Sequence, residues 1–551
     1  MSINGGHLIG SYLSRRGVQC VFGISGGHIE SLLDGLQHYN IQTIDVRHEQ
    51  AAVMMAHAMA VYTGKPGVCF LTAGPGFTNG ITGIANAYLD NAPVVVLCGR
   101  HPLRDDLKGA LQEMNQIDVV KPLVKWCATC YDTRRIPEYL DMAFRYALCG
   151  RPGPVFLELP PDILNVAVED FEFHPTTDIF KVTPDSENLY KAAEIINSAR
   201  KPLFIGGSGV GYSNCPLELQ AFIEKTGIPF MLLNGGRGIL PDNHPLSIWN
   251  IGNVGLLMTL SQVDVLVAAG IRFNWLFQSG AVIPPGAKVV RIDIEPTEIN
   301  RNRKADAGLF GDTGTTLKSL LPLVEQKNHN EWLTMLTNAG YAFINSEIKL
   351  RQLPSEPIHP IRLVARAQEV FGTDALYVID GGDTSYFGLV GFQSKHKAGV
   401  ISQSAGLLGC LGAGIPFAIA AKLVHPDKQV VVLTGDGSFG FNGFEFDTAV
   451  RHNIPFVCIV NNDCAWGMIK HSQELSIGKE RVTCAELGIR RYEKVVDGMG
   501  GHGEFVDSDS DIIPALTRAR DSGKPACVNV LTDPTATSPA TPLFYQSLKF
   551  D

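Results

Sequence analysis

A chain of 551 residues is too long for one hydrophobic core, and at about 150 residues per domain it calls for three or four. Its 45% hydrophobic and 18% charged residues exclude a disordered polypeptide, while a net charge of -9 and a pI near 5.9 exclude the basic face that nucleic acid requires. The opening MSINGGHLIGSYLSRRG lacks a basic segment followed by an apolar one, and no apolar run has the length of a membrane span, so the expectation is a cytoplasmic protein with a small-molecule substrate and no membrane partner.

The first block, residues 1–167, opens with a helical pattern over His7–Gly17 and then alternates short apolar runs with helical stretches: VQCVFGI, NIQTIDV, GVCFLTA, APVVVLCG and PVFLELP. Such alternation predicts parallel α/β layers. Cys127 and Cys130 in KWCATC have redox or metal spacing, but no second pair and no histidine cluster accompany them, so all twelve cysteines read as ordinary core residues. An acidic, proline-bearing stretch, 168–188, reads as a linker. The second block, 189–325, carries the strand runs KPLFIGGSG, IPFMLLN, VDVLVAAG and AKVVRIDI. The glycine string GGSGVG, Gly206–Gly211, reads there as a packing turn rather than a dinucleotide loop. A second polar crossing, 326–357, leads to the third block, 358–551, which opens like the first: a helical pattern over Ile361–Val370, the strand ALYVID, then GGDT. The parallel hints at a duplicated α/β unit around a different middle domain.

In the third block the apolar run VVVLTGDGS ends on Asp436 between Gly435 and Gly437. A carboxylate at the end of a buried strand is costly unless a cation or donors meet it. One crossover later PFVCIVNND ends a second strand near Asn462. In an open parallel sheet ligands gather at the carboxyl ends of strands, so the two side chains can converge. A carboxylate, an amide oxygen and a backbone carbonyl form the hard oxygen set that Mg²⁺ accepts, with the ion bridging to a diphosphate. In the first block, Glu49 follows the strand NIQTIDV and opens the Ala- and Met-rich helical pattern of HEQAAVMMAHAMA.

GDG followed by NN at this interval, with the glutamate of the first block, resembles the thiamine-diphosphate-dependent enzyme superfamily, and the resemblance covers essentially the whole chain. It implies three doubly wound parallel-sheet domains in the order pyrimidine-binding, middle and diphosphate-binding. It also implies thiamine diphosphate and Mg²⁺ as cofactors, with the ion held by Asp436, Asn462 and the Cys464 carbonyl. Glu49 is then expected to hydrogen-bond the aminopyrimidine ring and promote the tautomer that removes the C2 proton. In LLGCLGAGIP, Leu411 is the expected apolar wedge beneath the thiazolium, and the Gly409 carbonyl the acceptor for the 4'-amino group. Thr72, Asp383, Thr384, Gly435, Gly437, Ser438, Trp466, Gly467 and Met468 are expected around the cofactor. Family geometry pairs the pyrimidine half of one subunit with the diphosphate half of another, so a homodimer or homotetramer is implied. A non-enzymatic subunit of this fold has no use for Glu49, Asp436 or Asn462, yet all three are present.

Within the superfamily, FGISGGHIESLL, ALQEMNQIDVVKPLVKW, GPVFLELPPDIL and NNDCAWGMIKHSQELSIGKERVT look most like benzaldehyde lyase, which cleaves and forms 2-hydroxyketones. His28 and Gln112 fall where that family keeps polar residues beside the reacting carbonyl. Met468 occupies a pocket-wall position in the same comparison, which favours short aliphatic acceptors. The middle block leans elsewhere. GILPDNHP, IRFNWLFQSG and VVRIDIEPTEINRNRKADAGLFGD resemble oxalyl-CoA decarboxylase and 2-hydroxyacyl-CoA lyase, which implies a CoA thioester whose phosphates meet Arg272, Arg301, Arg303 and Lys304. Acetolactate synthase shares the frame and a comparable glutamine, but normally carries proline soon after its first Gly-Gly, where this chain has HIESLL. The ranking is a 2-hydroxyketone or aldehyde lyase and carboligase first, the CoA lyase second, and the 2-ketoacid enzyme third.

Overall fold

A computed structural model of the chain describes residues 2–176, 179–248, 256, 259–352 and 354–547. After a two-residue strand, β1 (Ser2–Ile3), a six-stranded parallel sheet is built from β2 (Cys20–Gly23), β3 (Gln42–Asp45), β4 (Gly67–Leu71), β5 (Val94–Gly99), β6 (Trp126–Thr129) and β7 (Val155–Leu159). Its spatial order is β3-β2-β4-β5-β7-β6. The next strand, β8 (Val168–Glu169), lies inside the expected linker and pairs antiparallel with β1.

The middle sheet comprises β9 (Pro202–Gly206), β10 (Phe230–Leu232), β11 (Val265–Ala269), β12 (Lys288–Asp293) and β13 (Ala307–Phe310), in the order β10-β9-β11-β12-β13. The third sheet comprises β14 (Leu376–Asp380), β15 (Val400–Ser402), β16 (Val430–Gly435), β17 (Val457–Asn462), β18 (His502–Val506) and β19 (Ala526–Leu531), in the order β15-β14-β16-β17-β19-β18. Counted along the chain, the first and third sheets both run 2-1-3-4-6-5. The expected α/β architecture with three parallel sheets is present, and the repeated opening pattern corresponds to a repeated topology.

Sheets covered on both faces need continuous apolar strands. β4, β5, β7 and β17 are buried at every position, and these are the runs the sequence displays most plainly. The edge strand β6, which no apolar run announces, is mostly half-buried, as is β18 on the edge of the third sheet. Half-covered strands carry mixed side chains and lose the signal.

The polar crossing 326–357 is not a loop: Asn330–Gln352 is a helix. Its flanks are polar, but Trp332 and Leu336, four residues apart on one face, pack into the middle domain's second core layer. The indole N–H of Trp332 donates to the Pro202 carbonyl at 2.9 Å. Gly206–Gly211 is not a separate turn but runs from the end of β9 into the helix Ser208–Ser213; it is closely packed, since a Cβ on Gly209 would stand 2.5 Å from Gly270 Cα and one on Gly211 1.9 Å from the Gly235 carbonyl oxygen. Cys127 and Cys130 are free thiols raised by burial above the ordinary range, which disfavours reactivity. Among the described residues no helix is long and apolar enough to cross a membrane.

The chain divides into two compact units. One contains Met1–Phe180, Gly406–Pro426 and Asn442–Ile454; the other contains Lys181–Ala405, Asp427–Phe441 and Pro455–Asp551. Two segments of the third block therefore belong with the first sheet. In that unit the helix Gly414–Val424 packs on the helix Glu49–Thr63, where Phe417 meets the ring of His57 edge-on at 5.1 Å between centroids.

His57 is fully buried, and its Nε2 has no hydrogen-bond partner; burial lowers its pKa from 6.5 to about 3. Asp90, 3.6 Å from Nε2, is beyond hydrogen-bond reach and does not offset the desolvation. The unfolded chain binds a proton here below its ordinary value and the folded chain does not, so stability is lost as pH falls from about 6.5 toward 3, at roughly 1.4 kcal/mol per pH unit. Buried carboxylates with raised pKa values oppose this slope, so the difference in melting temperature between His57→Leu and the native protein is the expected readout, shifting in favour of the leucine variant as pH falls from 7 to 4.5.

Candidate active site

In the second unit the site begins where β14 and β16 end. The strand order reverses between these neighbours, so the crevice for a ligand opens at their carboxyl ends. Gly381 and Gly382 follow β14, and Asp436 follows β16. A Cβ on Gly382 would stand 2.7 Å from Met468 Cβ, and one on Gly437 2.6 Å from the Trp466 ring, so both glycines are required for close approach. A Cβ on Gly467 would stand 2.1 Å from Asp463 Oδ2, so a side chain there would turn the Asp463 carboxylate away. Ser438 and Thr384 are buried, and Thr384 Oγ1 accepts from Asn461 Nδ2 at 3.0 Å.

The Asp436 carboxylate is 2% exposed. Its Oδ1 accepts from the Gly437 N–H at 2.9 Å, while its Oδ2 has no hydrogen-bond partner. Beside it stands the partly buried Asp463, and burial with mutual repulsion raises the pKa of Asp436, while burial raises that of Asp463. Asn462 is fully buried; its Oδ1 accepts from the Cys464 N–H and its Nδ2 donates to Asn529 Oδ1, each at 3.0 Å. A divalent cation preferring oxygen ligands fits this donor set, because it relieves an unpaired carboxylate oxygen and the repulsion beside it. The third expected ligand, the carbonyl of Cys464, lies two residues beyond Asn462. The Cys464 backbone is left-handed (φ 62°), and its carbonyl already accepts from the N–H groups of Leu487 and Gly488 at 2.8 and 2.9 Å.

Asp383, expected beside the cofactor, spends both carboxylate oxygens within the protein. Oδ2 meets His471 Nδ1 at 2.9 Å, and Oδ1 accepts from the Ser538 N–H and hydroxyl and from the Thr541 hydroxyl. The hydrogen bond to Asp383 raises the pKa of His471. Asp383 thus acts as a buried tie between the start of one helix, a second helix and the carboxyl-terminal segment.

In the first unit the same topological position recurs between β2 and β4. His28 follows β2, Thr72 follows β4, and a Cβ on Gly26 would fall 2.3 Å from Thr72 Oγ1. Glu49 opens the helix Glu49–Thr63 directly after β3 and its turn; it is 7% exposed, and its Oε2 accepts from Asn79 Nδ2 at 3.0 Å. The preceding turn is held by Glu445, whose carboxylate accepts from the N–H groups of Arg47 and His48, both at 3.0 Å, and whose pKa burial raises to about 7. Asn442 joins this region to the 409–412 loop: its Oδ1 accepts from Gln50 Nε2 at 3.0 Å, and its Nδ2 donates to the Gly412 carbonyl at 2.7 Å. Gly409 and Gly412 are both left-handed, and Leu411 between them is half-buried.

His28 and the loop carrying Gln112 are brought together. The pKa of the imidazole is lowered chiefly by desolvation, with the backbone of Leu111 opposing and His101 adding to the lowering. Gln112 is left-handed (φ 63°), a conformation unusual for its side chain, and packs where Gly74 has no Cβ. Glu113 staples the loop by accepting from the N–H groups of Leu107, Gly109 and Ala110. Between His28 and this loop lies a cavity of about 470 Å³ lined by His28, Pro102, Asp105, Lys108, Ala110 and Leu111.

Asp463, Asn79, Glu445, Asn442 and Glu113 went unread in the sequence. For Asp463 a signal existed, an acid directly after the apolar strand of PFVCIVNND; the others act across turns or long separations that carry no spacing rule. In the middle domain, three of the four basic residues expected at phosphates have partners. Arg272 lies 3.6 Å and Arg301 2.9 Å from the same Glu298 oxygen, and Arg303 donates to the carbonyls of Pro284, Pro285 and Ala287; Lys304 is exposed.

Three family models match the chain: the N-terminal TPP binding domain of thiamine pyrophosphate enzymes over residues 3–119, their central domain over 189–320, and their C-terminal TPP binding domain over 380–530. The acetolactate synthase large subunit of Mycobacterium tuberculosis is 34% identical across 98% of this chain and 97% of its own. The 2-hydroxyacyl-CoA lyase of Arabidopsis thaliana is 30% identical across 97% and 96%, and the human 2-hydroxyacyl-CoA lyase 2 is 30% identical across 96% and 90%. Parallel sheets with paired switch points, an underbonded carboxylate fit for a cation and matches along nearly the whole length agree: the chain belongs to the thiamine pyrophosphate enzyme family.

Proposed function

We propose that this thiamine-diphosphate-dependent enzyme makes or breaks the carbon–carbon bond beside the carbonyl of a small 2-hydroxyketone or aldehyde. The observation that supports the reading is the open cleft of about 470 Å³ beside His28, walled on one side by Ala110 and Leu111 of the loop that leads into Gln112. Its volume suits a small substrate, and its polar groups suit one that presents a carbonyl and a hydroxyl. When bound, thiamine diphosphate supplies the carbon nucleophile and electron sink for carbonyl chemistry. The protein's part is positional and protonic. Asp436, Asn462 and the Cys464 carbonyl would offer oxygens to Mg²⁺, the usual metal partner in the family, with Asp463 beside them, and Glu49 would present a carboxylate to the pyrimidine ring. His28, kept neutral near pH 7 by burial, donates or accepts a hydrogen bond at the reacting oxygen, and Gln112 holds the hydroxyl.

The relatives named acetolactate synthase support the bond-forming direction, with a 2-ketoacid as donor. A second reading, cleavage of a 2-hydroxyacyl-CoA, is favoured by the relatives so named along nearly the whole chain. Against it stand the internal partners of Arg272, Arg301 and Arg303, which a nucleotide has to displace. Turnover of benzoin, acetoin, 2-ketoacids and a 2-hydroxyacyl-CoA by the purified holoenzyme tests the choice. With CoA added during hydroxyketone cleavage, no inhibition at saturating CoA is expected. Competitive inhibition that Arg272→Ala relieves overturns the proposal for the second reading.

Asp436→Ala removes a charged ligand of the bridging ion, so Mg²⁺ and cofactor affinity are expected to fall together by about tenfold or more in calorimetric titrations. Unchanged cofactor affinity removes Asp436 from the site. For His28 the sign is set by its lowered pKa: the neutral ring persists below the ordinary histidine range and is lost only as pH falls further. The acid limb of kcat/KM is therefore expected below pH 6.5, and His28→Ala is expected to abolish that limb and cut turnover by about 10²-fold or more while sparing cofactor binding.

A further inference from the structure

We infer that Asn79 is the positioning residue of Glu49, deciding which of its two carboxylate oxygens is left for the cofactor's pyrimidine ring; the inference rests on the role proposed above for Glu49. Asn79 Nδ2 donates to Glu49 Oε2 at 3.0 Å, and among the described residues no other side chain donates to this carboxylate. Glu49 is 7% exposed, so little water replaces that donor. The other oxygen, Oε1, faces Gly76, where a Cβ would stand 3.4 Å away. One oxygen is thus engaged by an amide and the other lies beside a glycine, which Thr72 Cγ2, 2.6 Å from its missing Cβ, keeps free of a side chain; both groups come from the first two turns of the helix Pro75–Asp90.

That helix is itself fixed against the helix of Glu49. A Cβ on Gly83 would stand 2.7 Å from Val53 Cβ and 2.9 Å from the Gln50 carbonyl oxygen, so only glycine permits this approach. At the helix start, the N–H of the left-handed Gly74 donates to Gln116 Oε1 at 3.0 Å. The buried Gln116 in turn donates from Nε2 to Glu158 Oε1 at 2.9 Å and to the Gly99 carbonyl at 3.0 Å. Asn79 is exposed, while Gly74, Gly83, Gln116 and Glu158 behind it are buried. Its amide is therefore presented from a rigid base to a single oxygen, which is the arrangement that holds a carboxylate in one orientation.

A double-mutant cycle tests the inference, with the dissociation constant of thiamine diphosphate at saturating Mg²⁺ as the readout and turnover as a second measure. Asn79→Leu is expected to weaken cofactor binding about tenfold in the otherwise native protein, and less than about twofold in a Glu49→Ala background. Asn79→Asp keeps the shape but turns the donor into a repelling carboxylate, and its loss is expected to be the larger. Melting temperatures within a few degrees of the native protein, expected for an exposed residue, establish that each variant folds. Equal losses in both backgrounds overturn the inference by showing that Asn79 acts independently of Glu49. No loss from Asn79→Leu where Glu49→Ala does weaken binding also overturns it, and leaves the role of Glu49 standing. If Glu49→Ala changes neither binding nor turnover, the role of Glu49 fails and this inference with it.

Discussion

The desolvated Asp436 carboxylate, with one oxygen bonded and one left without a donor, is the constraint around which the second unit is arranged. Placing an unpaired charge at the end of an apolar strand costs several kcal/mol unless a cation or hydrogen bonds compensate. The surroundings do not supply enough donors, and Asp463 adds a second acid beside it. Asp436 and Asn462 are both buried, and Trp466 packs closely on Gly437, so the carboxylate has little contact with water. Asp383 belongs to the same economy of charge. By taking His471 and two hydroxyls it keeps its own carboxylate satisfied.

The first unit solves a related problem with the same topology and different residues. His28 and Thr72 stand where the GG and GDG loops stand in the third sheet, because a sheet with order 2-1-3-4 opens its crevice between strands one and three. Glu49 is then set by three separate attachments: the turn before it by Glu445, the side chain after it by Asn442, and its own oxygen by Asn79. Two non-glycine residues at these sites, Gln112 and Cys464, are left-handed. Such strain persists where neighbours over-determine the backbone, and here the Glu113 staple and the Leu487 and Gly488 amides do so.

The middle domain shows how residue type and residue availability differ. A cluster of arginines near the end of a parallel strand suggests phosphate binding, but folded side chains first satisfy their own surroundings. Glu298 collects Arg272 and Arg301, and three backbone carbonyls collect Arg303. A guanidinium already bonded this way is a weaker anchor for a nucleotide than composition suggests.

The sequence by itself determined the fold class and the residues whose meaning lies in local spacing. Apolar runs bounded by glycine announce buried parallel strands, and the interval from GDG to NN put Asp436 and Asn462 at the ends of two adjacent strands, because a single strand-helix-strand unit sets their separation. Glu49 is legible for the same reason, as the first helical residue after a strand. Edge strands such as β6 were not legible, since half-covered positions tolerate mixed side chains, nor was the helix over Asn330–Gln352, whose apolar face is narrow between polar flanks. Only the tertiary structure decided that Glu445 and Asn442, nearly four hundred residues from their partners, hold the turn of Glu49, and that Asn79 faces its carboxylate. Such contacts follow from how closely two helices approach and which strands adjoin, quantities fixed by packing of the whole unit and carried by no local pattern.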